Sequence, residues 1–190
     1  MPEDMSFLLL PGFSAIGFMS AVEPLRVANR FRGDLYRWRI LSLDGEPVAA
    51  SNGISINAEA AIVDVHETQT VFVVAGFEPL ACYTRALGDC LKRLERAGTT
   101  LGGIDTGSFV LAEAGLLRDS DSVTVHWEAL SAFRERFPSL NAVWMKLPCT
   151  RMRSQSAPKC PSTTLPSVGS PSRHMSATPP CETRYRVPAA

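Results

Sequence analysis

Between Thr99 and Leu117 the chain reads Thr-Thr-Leu-Gly-Gly-Ile-Asp-Thr-Gly-Ser-Phe-Val-Leu-Ala-Glu-Ala-Gly-Leu-Leu, and this stretch restricts the possible folds more than any other. A run of β-formers, Thr99 to Ile104, switches on glycines into helical spacing at Phe109, Leu111, Ala112 and Leu116. A strand followed by a tight turn and a helix is an elbow that lifts one side chain above the carboxyl end of a sheet. The lifted residue is Asp105, where a hydrolytic elbow carries Ser or Cys. A carboxylate in that place binds or polarises, but it is a poor nucleophile for acyl transfer.

The flanking patterns repeat the alternation. Met5 to Leu10 is short, continuously apolar and closed by Pro11-Gly12, which predicts a buried strand. Ala15 to Phe31 has helical spacing, with Pro24 marking a break or a new first turn. Tyr36 to Leu43 alternates and ends at Asp44-Gly45, Ile54 to Ile56 is a weaker strand, and Thr70 to Ala75 is another buried one. Leu80 to Ala97 predicts an amphipathic helix closed by Gly98. After the elbow helix, which should run through Leu117, come a strand at Val123 to Val125 and a helix from Trp127 to Phe137. Strands alternating with helices predict an α/β fold, a largely parallel sheet flanked by helices on both faces in the flavodoxin-like manner. Phe13, Phe77, Asp105 and His126 then fall at the carboxyl ends of strands, where open α/β sheets bind ligands.

Composition divides the chain. Residues 1–144 hold 12 Lys/Arg against 18 Asp/Glu, whereas residues 145–190 hold 7 against one. An acidic body is not a nucleic-acid footprint. Only four of the last 46 residues are Leu, Ile, Val or Phe, beside eight Pro and seven Ser, so a disordered C-terminal tail over 144–190 is expected. Five cysteines without CxxC spacing encode neither a disulfide framework nor a zinc site, and Cys82 and Cys90 read as small apolar residues on one helix. No metal or other cofactor is called for. Phe7 to Leu10 is too short for a signal sequence or a membrane span, giving a cytoplasmic expectation.

The stretches Leu10-Pro11-Gly12-Phe13-Ser14, Ala21 to Arg30, Tyr36-Arg37-Trp38, Leu43-Asp44-Gly45, Gly103 to Ala112 and His126-Trp127-Glu128 together carry a resemblance. Residues 5–143 resemble the amino-terminal sensor domain of AraC-type transcriptional regulators, which is PfpI-like and class I glutamine-amidotransferase-like. The form with aspartate at the elbow looks most like the branch regulating betaine, carnitine and related amine catabolism. The resemblance implies a small-molecule amine ligand, self-association as a homodimer, and DNA contact only through a carboxyl-terminal helix-turn-helix domain. Such regulators continue past Asn141-Ala142-Val143 into further sheet and helix. The switch here to Pro/Ser/Arg-rich sequence reads instead as a shifted reading frame that cuts the chain off before its DNA reader.

Each candidate residue also has an ordinary structural reading. Asp105 on pattern alone is equally an N-cap, with Ser108 at the third helical position. Thr106 and Ser108 are expected to satisfy backbone donors at the helix start. Glu23 reads as a solvated helix face, but by resemblance it approaches the elbow side chain and shares its site. His126 by resemblance lies near the elbow, and Trp127 follows it. With Phe13 and Phe77, Trp127 offers aromatic faces for a quaternary ammonium group. Glu23, Asp105, Thr106, His126, Trp127, Phe13 and Phe77 are therefore the expected ligand-binding set, and none is expected to be catalytic. The alternatives are a hydrolase, amidotransferase or glyoxalase-like enzyme of the same superfamily, for which a thiol at the elbow is the missing feature, and a non-functional truncation product.

Overall fold

A computed structural model describes residues 1–119, 122–144 and the backbone of 149–151. Its main sheet has six strands in the order β10-β7-β6-β1-β2-β5. They are β1 (Glu3–Leu9), β2 (Tyr36–Ser42), β5 (Ala60–Ala61), β6 (Thr70–Val74), β7 (Thr100–Ile104) and β10 (Cys149–Arg151). Strands β1, β2, β5, β6 and β7 pair in parallel, and β10 joins the β7 edge antiparallel. The predicted α/β class with a largely parallel sheet is the fold of the chain.

Side-chain alternation along the strands builds two cores. From β1 and the residue that follows it, Leu8 and Leu10 face one way with Val71, Val73 and Leu101, packing on Leu87, Leu91 and Leu94 of α2 (Arg85–Arg96) and on Val110 and Leu111 of α3 (Gly107–Glu113). Phe7 and Leu9 face the other way with Val74 and Ile104, and pack on Phe18 of α1 (Ala15–Arg32). Burial on both faces is what a parallel sheet requires, since its crossover helices cover each side.

Helix α1 runs through Pro24 without interruption. The carbonyl of Ser20, which loses its helical donor there, belongs to an exposed residue, where solvent is within reach. Helix α2 starts at Arg85 rather than Leu80, because Thr84 caps it by accepting from Leu87 N at 3.1 Å. Cys82 consequently lies in the preceding turn, while Cys90 is buried in the helix and donates to the Ile62 carbonyl. Helix α3 stops at Glu113, before Gly115 with its φ of 68°. The weak strand near Ile56 belongs to a small hairpin, β3 (Val48–Ala49) with β4 (Ser55–Ile56). A parallel pair, β8 (Ser122–Val125) with β9 (Asn141–Trp144), brackets α4 (Leu130–Arg136).

Strand β10 lies inside the stretch whose composition gave the tail expectation. That expectation for 145–148 and 152–190, and the frame shift with it, lie outside the described residues.

Candidate functional site

The elbow is built from close backbone contacts that only glycine permits. Strand β7 ends at Ile104, and Asp105 takes φ 58°, in the left-handed region that Cβ-bearing residues avoid. Among the described residues it is the only non-glycine with positive φ. A Cβ at Gly103 would overlap the Ser108 backbone nitrogen, and one at Gly107 would overlap the Val73 carbonyl oxygen. Thr106 then donates its hydroxyl to the Gly76 carbonyl, tying the elbow to the loop after β6.

These contacts correct three expectations. Asp105 is not the N-cap, because capping residues need extended backbone and Asp105 is left-handed. The cap position falls to Thr106, which makes no side-chain cap bond because its hydroxyl is spent on Gly76. Ser108 does not serve a backbone donor either, since its hydroxyl is buried and makes no hydrogen bond.

The side of the elbow facing solvent opens into a cavity of ≈ 580 Å³. Five connecting segments line it: Ser14 to Ile16 at the start of α1, Ser51 and Asn52 in the β3–β4 turn, Gly76 and Phe77 after β6, Asp105 and Thr106, and His126, Glu128 and Ala129 after β8. Hydrogen bonds hold the segments together. Ser14 N donates to the Ala75 carbonyl, Gly12 N to Ala49 O, and Ser51 N to Phe13 O. The electrostatics are one-sided, because Asp105 and Glu128 both line the cavity and no Lys or Arg does among the described residues. Glu128 Oε2 lies 3.8 Å from His126 Nδ1.

Of the residues expected to bind, Asp105, Thr106, His126 and Phe77 meet in this cavity. Three do not. Glu23 sits on the exposed face of α1 and pairs with Arg26 at 2.7 Å, and that hydrogen bond and charge hold its carboxyl below the usual range. Phe13 is fully buried, edge-on to Phe18 with ring centroids 6.0 Å apart, so it anchors the loop after β1 rather than facing a ligand. Trp127 is 65% exposed and packs beside the His126 ring without lining the cavity. Sequence reasoning missed Glu128 as a lining residue, although the motif His126-Trp127-Glu128 displayed it. Ser51 and Asn52 gave no signal beyond an ordinary hairpin turn.

A family model described as the DJ-1/PfpI family matches residues 5–143. The chain belongs to the DJ-1/PfpI family. Several of its relatives are named as transcriptional regulators. The HTH-type transcriptional regulator CdhR of Pseudomonas aeruginosa is 61% identical over 141 residues, covering 74% of this chain and 42% of that protein. The HTH-type transcriptional regulator GbdR of the same species is 44% identical over 138 residues, covering 72% of this chain and 37% of the relative. Among solved structures, an AraC family transcriptional regulator from Pseudomonas putida superposes with a TM-score of 0.67 at 29% identity, over 75% of this chain and 76% of that one. The chain spans about two-fifths of the length of these curated regulators. Among the described residues no helix is long and apolar enough to cross a membrane, and no group of three or more His, Cys, Asp or Glu is placed to hold a metal ion.

Proposed function

We propose that residues 5–143 form the ligand-sensing domain of an AraC-type transcriptional regulator, and that the ligand is a small quaternary or substituted amine of the betaine or carnitine kind. The observation that carries this reading is the cavity above the elbow, which Asp105 and Glu128 both line beside His126 and which no Lys or Arg lines among the described residues. Two carboxylates facing one partly enclosed space repel each other, and a bound cation offsets that repulsion. Phe77 adds an aromatic face of the kind that attracts quaternary ammonium groups. Holding a left-handed aspartate costs roughly 1–2 kcal/mol, and backbone strain of this sort collects at ligand sites. Asp105 at the elbow also argues for sensing over acyl transfer, since a carboxylate supplies no thiolate.

In this reading the regulator works in the cytoplasm as a homodimer. It reaches DNA through a helix-turn-helix domain beyond the matched region, as the relatives' names suggest. A thermal-shift series tests the ligand. Glycine betaine, carnitine and choline should raise the melting temperature, whereas acetate and succinate should not. Stabilisation by the anions and not by the amines contradicts the proposal.

A further inference from the structure

Beside the acidic cavity lies a second hollow of ≈ 410 Å³, lined by Phe77, Pro79, Leu80, Ala81, Thr106, Phe109, Ala129 and Ala132, with Glu78 as its single charged lining residue among those described. The two share Phe77, Thr106 and Ala129, so they are neighbouring compartments divided by those three side chains. Their chemistry differs. One carries two carboxylates, a histidine, two serines and an asparagine, and the other is walled by aliphatic and aromatic groups. Phe77, which forms part of the divider, is 85% exposed and follows Gly76, so little packing fixes its ring.

We infer that the amine also carries an aliphatic arm: its ammonium head is held between Asp105 and Glu128, and the arm passes Phe77 into the hollow under Phe109, Ala129 and Ala132. The inference rests on the amine reading and deepens it by assigning a specificity pocket for the arm. The small side chains Ala129 and Ala132 set its length, because each leaves room that a larger residue would fill. Ala132 is exposed on α4, so its replacement does not disturb a core. An arm that enters the hollow removes apolar surface from water, which raises affinity about fourfold for each methylene buried. The gain ends once the hollow is filled.

Calorimetric titration of the full chain with n-alkyltrimethylammonium ions, from tetramethyl to octyl and below their micelle concentrations, tests this. Affinity should climb across the first several methylenes and then level. Ala132→Leu should flatten the climb while leaving tetramethylammonium binding unchanged, with circular dichroism confirming an intact fold. If tetramethylammonium binds but lengthening the chain has no effect, or if Ala132→Leu leaves the climb intact, the arm pocket is refuted and the amine reading survives. If the neutral carbon analogues of the same chains bind as tightly as the ammonium ions, the cation reading itself is refuted.

Discussion

Asp105 combines two properties that pull against each other. Its backbone is strained at φ 58°, and its carboxylate has no hydrogen-bond donor among the described residues. Glycine adopts this conformation freely. Asp105→Gly is therefore expected to raise the unfolding free energy by up to about 1 kcal/mol while abolishing amine binding, a trade of stability against function. Chemical denaturation and titration of the same sample check both halves. Asparagine tolerates the left-handed region as aspartate does, so Asp105→Asn isolates the charge and should weaken binding by about 1–3 kcal/mol without lowering the melting temperature of the free protein. Glu23 offers the contrast. It is exposed and already satisfied by Arg26, so Glu23→Gln should leave amine affinity unchanged, and a clear loss would place Glu23 in the site after all.

The elements were legible where backbone geometry left a single solution. Gly103 and Gly107 flank the elbow because a side chain at either would overlap backbone, and that spacing announced the turn from sequence alone. Gly107→Ala should therefore destabilise the domain by about 2–3 kcal/mol, the upper part of the usual range for forcing atoms into a packed site. A mutant melting with the wild type would show that the elbow relaxes freely. Tyr83, in the turn before α2, gives a pH signature. Burial, then the charges of Glu113 and Asp89, push its phenol above the ordinary value. A group whose folded value is raised stabilises the fold below its unfolded value, about 10 for tyrosine, and the contribution is lost as pH rises through the folded value. Tyr83→Phe should accordingly reduce the fall in melting temperature between pH 9 and pH 11. Other features left no local trace. Whether Glu23 turns toward the elbow or toward Arg26 depends on how α1 is rotated on the sheet. Whether Phe13 faces a ligand or the core depends on the β3–β4 hairpin closing over it through Gly12 and Ser51. Strand β10 takes its place from the open edge of β7 rather than from any alternation of its own.

At the scale of the molecule, the parallel sheet brings the ends of β1, β6 and β7 to one rim, and the hairpin and the segment after β8 complete the cavity there. The family fold thus sets Asp105 on this rim, and in the proposed reading its carboxylate is what draws a cation there. The chain belongs to the DJ-1/PfpI family, and its likeness to HTH-type regulators supports the proposed place in transcriptional control. The charge of the cavity supports the proposed ligand class. Calorimetry with glycine betaine on the wild type and on Asp105→Asn tests this central claim most directly. The account predicts saturable binding that weakens at least several-fold in the variant while the ligand-free variant unfolds at no lower temperature than the wild type. Equal affinity in the two proteins, or a preference for anions over the amine, would contradict it.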